Sequence, residues 1–302
     1  MTAAGRALDA NAVARAIREA CVAEVRAFKP GNVSIDSPGH GMRAEDFIAS
    51  AHAATPSLAK PGIAVGERIL RAIEATREVV PFNTNLGIVL LCAPLAHAAL
   101  LTLPEARLRD RLAVVLAALD VRDAQAAYRA IRLAQPGGLG RSPRHDVNAV
   151  PSVTLLEAMR EAAQRDRIAS QFDTVFADIF EIGTPIAREF LARWNALEWA
   201  AVGVYMTLLA RFPDSHVARK FGPGTARHVV RDAQPAARML AEARRPEEAM
   251  PALEALDRSL KERAINPGTS ADMTVASLVA MALEDLLAEV YHPLQAAARA
   301  GE

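Results

Sequence analysis

The feature that most constrains this chain is a helical spacing of apolar residues that runs through nearly all of its 302 positions. Apolar residues recur every four positions from Val13 to Val25, which predicts a helix over residues 10–27. Alanine dominates, runs of β-branched residues are short, and no long stretch alternates with the period of two that a strand requires. We therefore predict an all-α fold, a single-domain multi-helix bundle over residues 1–302.

Further helices are predicted wherever the apolar spacing resumes. They are expected over residues 44–55, 61–79, 84–102, 104–118, 121–134, 152–170, 171–182, 185–211, 225–244, 246–263 and 271–290. No repeat of fixed period and no Ser/Gly-rich linker marks a domain boundary.

The charge balance excludes some classes of partner. Lys+Arg and Asp+Glu both total 35, so no global field attracts nucleic acid or an anionic membrane. The N-terminal residues lack a basic-then-apolar signal, and no apolar run approaches the roughly 18–20 residues of a membrane span. We expect a cytoplasmic protein with buried, reduced Cys21 and Cys92. The oligomeric state stays open, and a homodimer is one candidate because Ala-rich amphipathic helices often pair with each other.

Five polar stretches rich in Gly or Pro interrupt the helical pattern. They cover residues 28–42, 80–87, 135–152, 213–224 and 264–272. Because bundled helices bury their apolar stripes against each other, polar groups at helix ends can converge on one side of the bundle. We predict that 28–42, 80–87 and 264–272 form one pocket.

Lysine is rare in this chain, which has only four, so each lysine in a polar stretch is a candidate point charge for phosphate. Lys29 follows the first predicted helix, and Lys220 stands beside Arg219. The alternative for Lys29, a solvated cation facing the negative end of the helix dipole, stays open. Asn32, Ser34 and Asp36 add donors and acceptors to the first loop. We expect Asn32 and Ser34 to bind substrate.

The second and last loops each place polar residues at a predicted helix start. Asn83 and Thr84 can cap the helix that follows, but capping does not account for Asn85 as well, so these residues can also hydrogen-bond a phosphate or ribose. In the last loop Ser270 is a candidate cap, and Asp272 stands in the first turn, where the helix dipole favours a carboxylate.

The third loop contains several glycines and a His145–Asp146 pair. It is not a phosphate-binding P-loop, because no Gly-Lys-Ser/Thr follows the glycines and no strand is predicted before them. His145 with Asp146 is a candidate acid/base pair or metal corner, although neighbouring side chains rarely point the same way. Arg132, on the helix that enters this loop, is a further candidate ligand residue.

The motifs taken together resemble the triphosphoribosyl-dephospho-CoA synthases, an all-helical family. The likeness spans nearly the whole chain, and its short elements (KPG, NT-x-x-G and NPG-x-SAD) occur in the family's order. The residues that carry it are Glu24, Val25, Lys29, Pro30, Gly31, Val33, Gly39, His40, Met42, Phe47, Ser50, Asn83, Thr84, Gly87, residues 128–132, Asn266, Pro267, Gly268, Ser270, Ala271 and Asp272.

The resemblance implies a transferase that joins the ribose of ATP to a hydroxyl of a cofactor precursor and releases the base. Such a reaction needs a polyphosphate clamp, usually with Mg²⁺, together with acid/base groups for the hydroxyl and the base. The resemblance assigns His40, Asp272 and Asp36 to catalysis, with Asp272 and Asp36 also as Mg²⁺ ligands. The expected substrate-binding residues are Lys29, Asn32, Ser34, Asn83, Thr84, Asn85, Arg132, Arg219, Lys220, Asn266 and Ser270.

The chain departs from the family pattern at three places. Ser34 stands where the family usually has Asp. His40-Gly41-Met42 stands where the family has His-x-Asp-Met, and Asn85-Leu86 replaces His-Lys in the family's Asn-Thr-His-Lys-Gly element. These departures resemble a divergent branch associated with one-carbon (methanopterin) cofactor genes. Three alternatives stay open: a non-catalytic nucleotide- or CoA-binding protein, a hydrolase of N-glycosidic bonds, and a helical scaffold that binds no nucleotide.

Overall fold

A computed structural model describes residues 5–39, 41–104 and 107–299, with side chains through Tyr291. The α-helices in these ranges are α1 (Ala10–Arg26), α2 (Ala44–Leu58), α3 (Val65–Val79), α4 (Leu86–Leu100), α5 (Leu108–Ala117), α6 (Val121–Ala134), α7 (Leu155–Ala162), α8 (Arg167–Asp173), α9 (Thr184–Trp194), α10 (Leu197–Arg211), α11 (Ser215–Glu242), α12 (Met250–Glu262) and α13 (Gly268–Arg299). A π-helical turn (Ile179–Gly183) precedes α9, and a 3₁₀ turn (Pro246–Glu248) precedes α12. The described ranges contain a few isolated β-bridges and no strand, so the predicted all-α class is confirmed.

Helix α4 lies at the centre of the bundle because it is apolar around its whole circumference. Every residue from Leu86 to Ala96 is buried, as expected for a helix without a polar face. Helix α4 contacts α13 and α3, and α13 in turn packs on α1 and α10. Buried apolar residues from Leu8 to Tyr291 form one contiguous cluster. No helix of the described ranges combines the length and apolarity that a membrane span needs.

Two predicted helices are each divided in the structure. The 185–211 stretch breaks at Asn195, which adopts a left-handed conformation (φ 48°) and ends α9. Asparagine tolerates this conformation better than most residues, and the apolar spacing continues in α10 and so hides the break. The 152–170 stretch breaks before Asp166, whose carboxylate accepts hydrogen bonds from the first backbone N–H groups of α8.

The predicted loop 213–224 is largely helical. Asp214 accepts a hydrogen bond from the backbone N–H of Val217 (3.0 Å), so α11 begins at Ser215. The real interruption is a kink at Gly222, where φ is 85° and a side chain would be strained. The segment before the kink therefore presents its side chains with helical spacing.

Lys29 is fully buried in the loop that follows α1. Its ammonium donates hydrogen bonds to the carbonyls of Glu24 (2.6 Å), Val33 (2.9 Å) and Ala27 (3.3 Å), and it lies 3.3 Å from Glu24 Oε1. Burial lowers the pKa of Lys29, and the Glu24 charge opposes that shift. Lys29 thus supplies hydrogen bonds to carbonyl groups at the end of α1 that have no partner within the helix. Its predicted contact with phosphate stays a prediction, and this buried position does not support it.

We predict that Lys29→Met lowers the free energy of unfolding by about 3–5 kcal/mol, because it leaves Glu24 buried without its counter-charge. The double variant Glu24→Gln/Lys29→Met should recover part of that loss. Urea unfolding provides the measurement, with Lys60→Met as the matched control, since Lys60 is exposed. A loss below about 1 kcal/mol for Lys29→Met would show that the ion pair is not a structural element.

Candidate functional site

A cavity of about 280 Å³ opens between the N-terminus of α4, the 135–152 loop, helices α7 and α8, the first turns of α11, and α13. Its inner wall is buried and almost entirely apolar, whereas several of its outer residues are exposed. The inner wall includes Leu86, Gly87, Leu155, Met159, Ile168 and Ala169; the exposed lining includes Gly137, Leu139, Arg141 and Arg165. The volume is near the lower end of the roughly 300–1,000 Å³ typical of ligand sites.

Asp272 lies at the inner end of this cavity, against the first turn of α4. A Cβ atom at Gly87 would overlap the Asp272 carboxylate and lie 2.6 Å from Ile168 Cδ1, so only glycine admits this approach of α13 to α4. None of the described residues donates a hydrogen bond to the Asp272 carboxyl. Burial raises its pKa well above the usual value, and the nearby charges of Glu24 and Asp214 raise it further. The site therefore favours a neutral carboxyl that can donate a proton.

The outer part of the cavity carries charges of both signs, with the side chains of Arg141, Arg165, Arg219, Asp146, Glu161 and Asp166 in its lining. Arg219, on α11, pairs with Asp166, and its buried Nε has no hydrogen-bond partner among the described residues. Arg165 donates hydrogen bonds to Ser142 Oγ (2.9 Å) and the Glu161 carbonyl (3.0 Å). Exposed Lys220 is not a lining residue, but it lies beside the glycines of the 135–152 loop. The outer end of the cavity thus offers arginine side chains to an anionic group, with carboxylates beside them.

The 135–152 loop is held in place by side chains. Tyr128 donates a hydrogen bond to the His145 carbonyl (2.7 Å), and Arg132 donates one to the Val147 carbonyl. Asp146 accepts from the backbone N–H groups of Ser142 (2.7 Å) and Asn148 (2.8 Å), and these bonds lower its pKa. Both Asp146 oxygens are therefore used within the loop, an arrangement that gives no support to a His145–Asp146 acid/base pair. Arg132 has a loop contact of its own and is not a lining residue.

His216 lines the cavity from the first turn of α11. Its backbone N–H donates to Thr269 Oγ1 (3.1 Å), and its ring packs against Gly268. His216 fell within the predicted loop 213–224, because the helix that follows was expected to begin at residue 225. The signal that was present is the spacing of three and four residues from His216 to Arg219 and Lys220, which places all three near one helix face.

The second loop divides between the cavity and the core. Asn83 lines the cavity, and its side-chain oxygen accepts from the Leu86 N–H (3.1 Å). Thr84 Oγ1 hydrogen-bonds Ser50 Oγ (2.5 Å), and Asn85 Nδ2 donates to Thr76 Oγ1 (2.9 Å), so both are buried inside the bundle. Substrate contacts for Thr84 and Asn85 stay predictions, and this placement favours a structural use.

The first loop docks on α12 instead of lining the cavity, which corrects the expected three-loop pocket. Gly31 N–H and Ser37 Oγ donate to the Asp257 carboxylate (2.7 and 2.8 Å), and Asn32 Nδ2 donates to Asn266 Oδ1 (2.7 Å). Asp257 is more than 200 positions away in sequence, so its pairing with this loop had no local signal.

The other predicted residues of the first loop lie away from the cavity or outside the description. Asp36 is exposed, and Ser34 is buried with no hydrogen-bond partner for its hydroxyl among the described residues. Neither is a lining residue. His40 lies outside the described residues, so its predicted catalytic role stays a prediction.

Asp214 connects the N-termini of α11 and α13. Its carboxylate accepts from Val217 N–H on α11 and from both the backbone N–H and the hydroxyl of Ser270 on α13 (2.8 and 2.9 Å). Burial raises the Asp214 pKa, and these hydrogen bonds oppose the shift. Ser270 is therefore part of a clasp between the helices that carry His216 and Asp272.

The predicted Mg²⁺ site formed by Asp36 and Asp272 does not fit this arrangement. Across the described ranges, no three or more His, Cys, Asp or Glu side chains gather where they could hold a metal ion. The acids near Asp272 already have partners, since Asp214 accepts from Ser270 and Asp166 pairs with Arg219. Mg²⁺ stays a prediction, and no chemical step below depends on it.

We predict that Asp272→Asn stabilises the protein at alkaline pH. With its folded pKa raised, Asp272 keeps a proton that the unfolded chain has released above its usual value of 3.8, so stability falls as pH rises through that window. Asparagine cannot ionise, and the melting temperature should rise by several degrees at pH 8, about 2–4 °C for each 1 kcal/mol.

The gain should shrink as the pH falls towards and below 3.8, where Asp272 becomes protonated in the unfolded chain as well as in the folded protein. Thermal melts across this pH range, with exposed Glu254→Gln as the control, provide the measurement. An Asp272→Asn protein that is less stable than wild type at pH 8 would contradict the raised pKa.

Comparison with known proteins identifies the family of this chain. The family described as CitG, ATP:dephospho-CoA triphosphoribosyl transferase, matches residues 10–290. A solved structure of a candidate triphosphoribosyl-dephospho-CoA synthase from Archaeoglobus fulgidus has 26% identity and a TM-score of 0.58, covering 78% of this chain and 98% of its own. A search of the curated proteins found no match. The chain belongs to the ATP:dephospho-CoA triphosphoribosyl transferase family and is a transferase of that class.

Proposed function

We propose that this protein moves a triphosphoribosyl group from ATP, or a related nucleotide, to a hydroxyl of a small cofactor precursor and releases the nucleotide base. The observation that carries the proposal is the position of a carboxyl group, Asp272, against the apolar inner wall of a cavity whose outer end presents arginine side chains. A nucleotide has the same polarity, with an apolar base at one end and phosphates at the other.

The inner wall suits the base. Met159 and Ile168 offer apolar surface beside Asp272. When the bond between the ribose and the base breaks, its electron pair goes to the base, which needs a proton or a strong hydrogen bond to leave. Proton donation by a positioned side chain contributes typically about 10²–10⁴-fold to rate, and a carboxyl kept neutral by burial is suited to it.

The outer end suits the phosphates. A cavity of about 280 Å³ has room for the base and ribose, so the phosphates extend towards the exposed cations. Arg219 still has an Nε without a hydrogen-bond partner among the described residues, and Arg141 and Arg165 stand at the mouth. Planar guanidinium groups match phosphate oxygens well, which favours arginine for this task.

Two classes of acceptor fit the proposed reaction. The family match supports dephospho-CoA, whereas the departures at Ser34, Gly41 and Asn85 support a precursor of a one-carbon cofactor. Both acceptors carry a hydroxyl and an anionic or polar body, so both suit an open cavity with arginines at its mouth. Product analysis separates them.

The decisive experiment incubates the purified protein with ATP and each acceptor, dephospho-CoA or pterin-type compounds, with and without Mg²⁺. We expect release of adenine with one acceptor, measured by chromatography, and an adduct of the matching mass. Adenine released equally without acceptor would indicate a hydrolase. ATP binding without adenine release would indicate a binding protein.

We predict that Asp272→Asn lowers kcat for adenine release by about 10²–10⁴-fold, because the amide cannot give a proton to the base. The Kd for ATP, measured by calorimetry, should stay within about threefold. A variant that keeps kcat within a few-fold of wild type would remove Asp272 from the chemistry.

We predict that Gly87→Ala also slows the reaction, because its methyl group would displace the Asp272 carboxyl and Ile168. Overpacking of this kind costs typically about 1–3 kcal/mol of stability, and kcat should fall by at least about tenfold. The matched control is Gly224→Ala on α11, where an added Cβ meets nothing within 4 Å. Equal kcat values for the two variants would show that the Asp272 position is not critical.

A further inference from the structure

Asn83 is an uncharged polar residue of the cavity wall, just before the start of α4. It stands three positions before Leu86, the first residue of that helix, and lines the cavity together with Leu86 and Gly87. Its side-chain oxygen accepts a hydrogen bond from the Leu86 N–H (3.1 Å). Asn83 is half-buried, so the fold holds its side chain in place without sealing it off.

The contact with Leu86 determines which end of the Asn83 carboxamide is available to a ligand. A backbone N–H needs an acceptor, which assigns the oxygen to that contact and leaves the Nδ2 group with its two N–H donors. None of the described residues accepts a hydrogen bond from Nδ2. Nδ2 can therefore donate to a ligand in the cavity while the oxygen holds the start of the helix.

Several other polar side chains of the lining are already used within the protein. Tyr128 donates to the His145 carbonyl (2.7 Å). Asp146 accepts from backbone N–H groups of its own loop, and Glu161 accepts from Arg144 (2.6 Å). The arginines of the lining supply the positive charge that phosphates need, which leaves the uncharged Nδ2 donor for an uncharged group such as a sugar hydroxyl.

One turn of α4 carries both the Asn83 contact and the Asp272 contact. Asn83 bonds the N–H of Leu86, and the Asp272 carboxyl lies against Gly87, the next residue. Both Asn83 and Asp272 remain partly accessible, as residues of a cavity wall should be. A ligand group held at Asp272 therefore brings its immediate neighbours close to Asn83.

We propose that Asn83 Nδ2 donates a hydrogen bond to the 2′-hydroxyl of the nucleotide's ribose, so that the site selects ribonucleotides over 2′-deoxyribonucleotides. This inference rests on the proposed function, which places the nucleotide base at Asp272. The 2′-hydroxyl stands on the carbon next to the one that bears the base, so it is the sugar hydroxyl nearest to the bond that breaks. Asn83 is thus a specificity-determining residue for the sugar.

Two substitutions separate this role from the structural role of Asn83. Asn83→Ser keeps an oxygen for the Leu86 N–H, since serine caps helices well, but its side chain is shorter and has no Nδ2 group. Asn83→Asp keeps that oxygen and puts a second oxygen in place of Nδ2, which can accept a hydrogen bond from the hydroxyl. Both variants should fold, and only Asn83→Asp should still distinguish the two sugars.

The test measures kcat/KM for adenine release from ATP, 2′-deoxy-ATP and 3′-deoxy-ATP with the same acceptor. In Asn83→Ser we expect the preference for ATP over 2′-deoxy-ATP to fall by at least about tenfold relative to wild type, because a site that binds a hydroxyl rejects the analogue without it. The preference over 3′-deoxy-ATP should stay within about twofold. Differences in intrinsic reactivity cancel, since both proteins are compared on the same substrates.

The matched control is Gln125→Ser, an exposed residue of α6 outside the cavity lining, which should behave as wild type. Asn83→Asp should bind all three nucleotides more weakly, because its added negative charge opposes the phosphates, but should keep the wild-type preference for ATP over 2′-deoxy-ATP. Calorimetry on wild-type protein should give a Kd for 2′-deoxy-ATP at least about threefold above that for ATP.

Several results would overturn the assignment while leaving the proposed function standing. One is an Asn83→Ser protein that keeps the wild-type preference for ATP over 2′-deoxy-ATP, and another is a change confined to 3′-deoxy-ATP. Loss of the preference in Asn83→Asp would place the donor on an acceptor atom that carries no hydrogen, such as a ring nitrogen of the base. If Asn83→Ser does not fold, as judged by circular dichroism, equal Kd values for ATP and 2′-deoxy-ATP in wild type overturn it. Wild-type protein that releases no adenine with any acceptor would overturn both proposals.

Discussion

The contact between the first turn of α4 and α13 is the constraint on which the site depends. At Gly87 the two helices approach so closely that the Asp272 carboxyl takes the space of a side chain. Helix α4 is buried on every side, so this backbone cannot retreat without disturbing the core. Burial then gives the carboxyl its raised pKa, and the cavity gives it access to a ligand. The close packing of α13 against α4 thus also determines the environment of the Asp272 carboxyl.

Much of the remaining polar machinery serves to hold helix ends together. Lys29 satisfies carbonyls after α1, Asp257 fixes the loop that follows, and Asp214 joins α11 to α13. Each of these groups is buried, where an unpaired polar group would be costly. Lys29 and Ser270, which suggest ligand binding in the sequence, therefore make contacts that hold helix ends in the folded chain.

The all-α class follows from the sequence because periodicity records which face of each helix is buried. The division at Asn195 was missed because the apolar spacing continues across it. The early start of α11 was missed because Asp214 is an inconspicuous cap and Gly222, eight residues later, is a stronger sign of a loop. Asn83 and Asp272, from two of the three loops expected to form one pocket, both line this cavity, and Arg219 from the loop 213–224 lines it as well. The docking of Gly31 on Asp257 depends on contacts between distant segments, which local patterns do not encode.

The 135–152 loop has a further consequence for how this site can change during evolution. Its conformation depends on Tyr128, Arg132 and its own Asp146, whereas Asp272 depends on α4 and α13. The outer lining of the cavity is thus built separately from the part that holds the Asp272 carboxyl. Substitutions in the loop can accumulate without disturbing the buried helices, so a lineage can change the outer lining while the end that holds Asp272 stays constant.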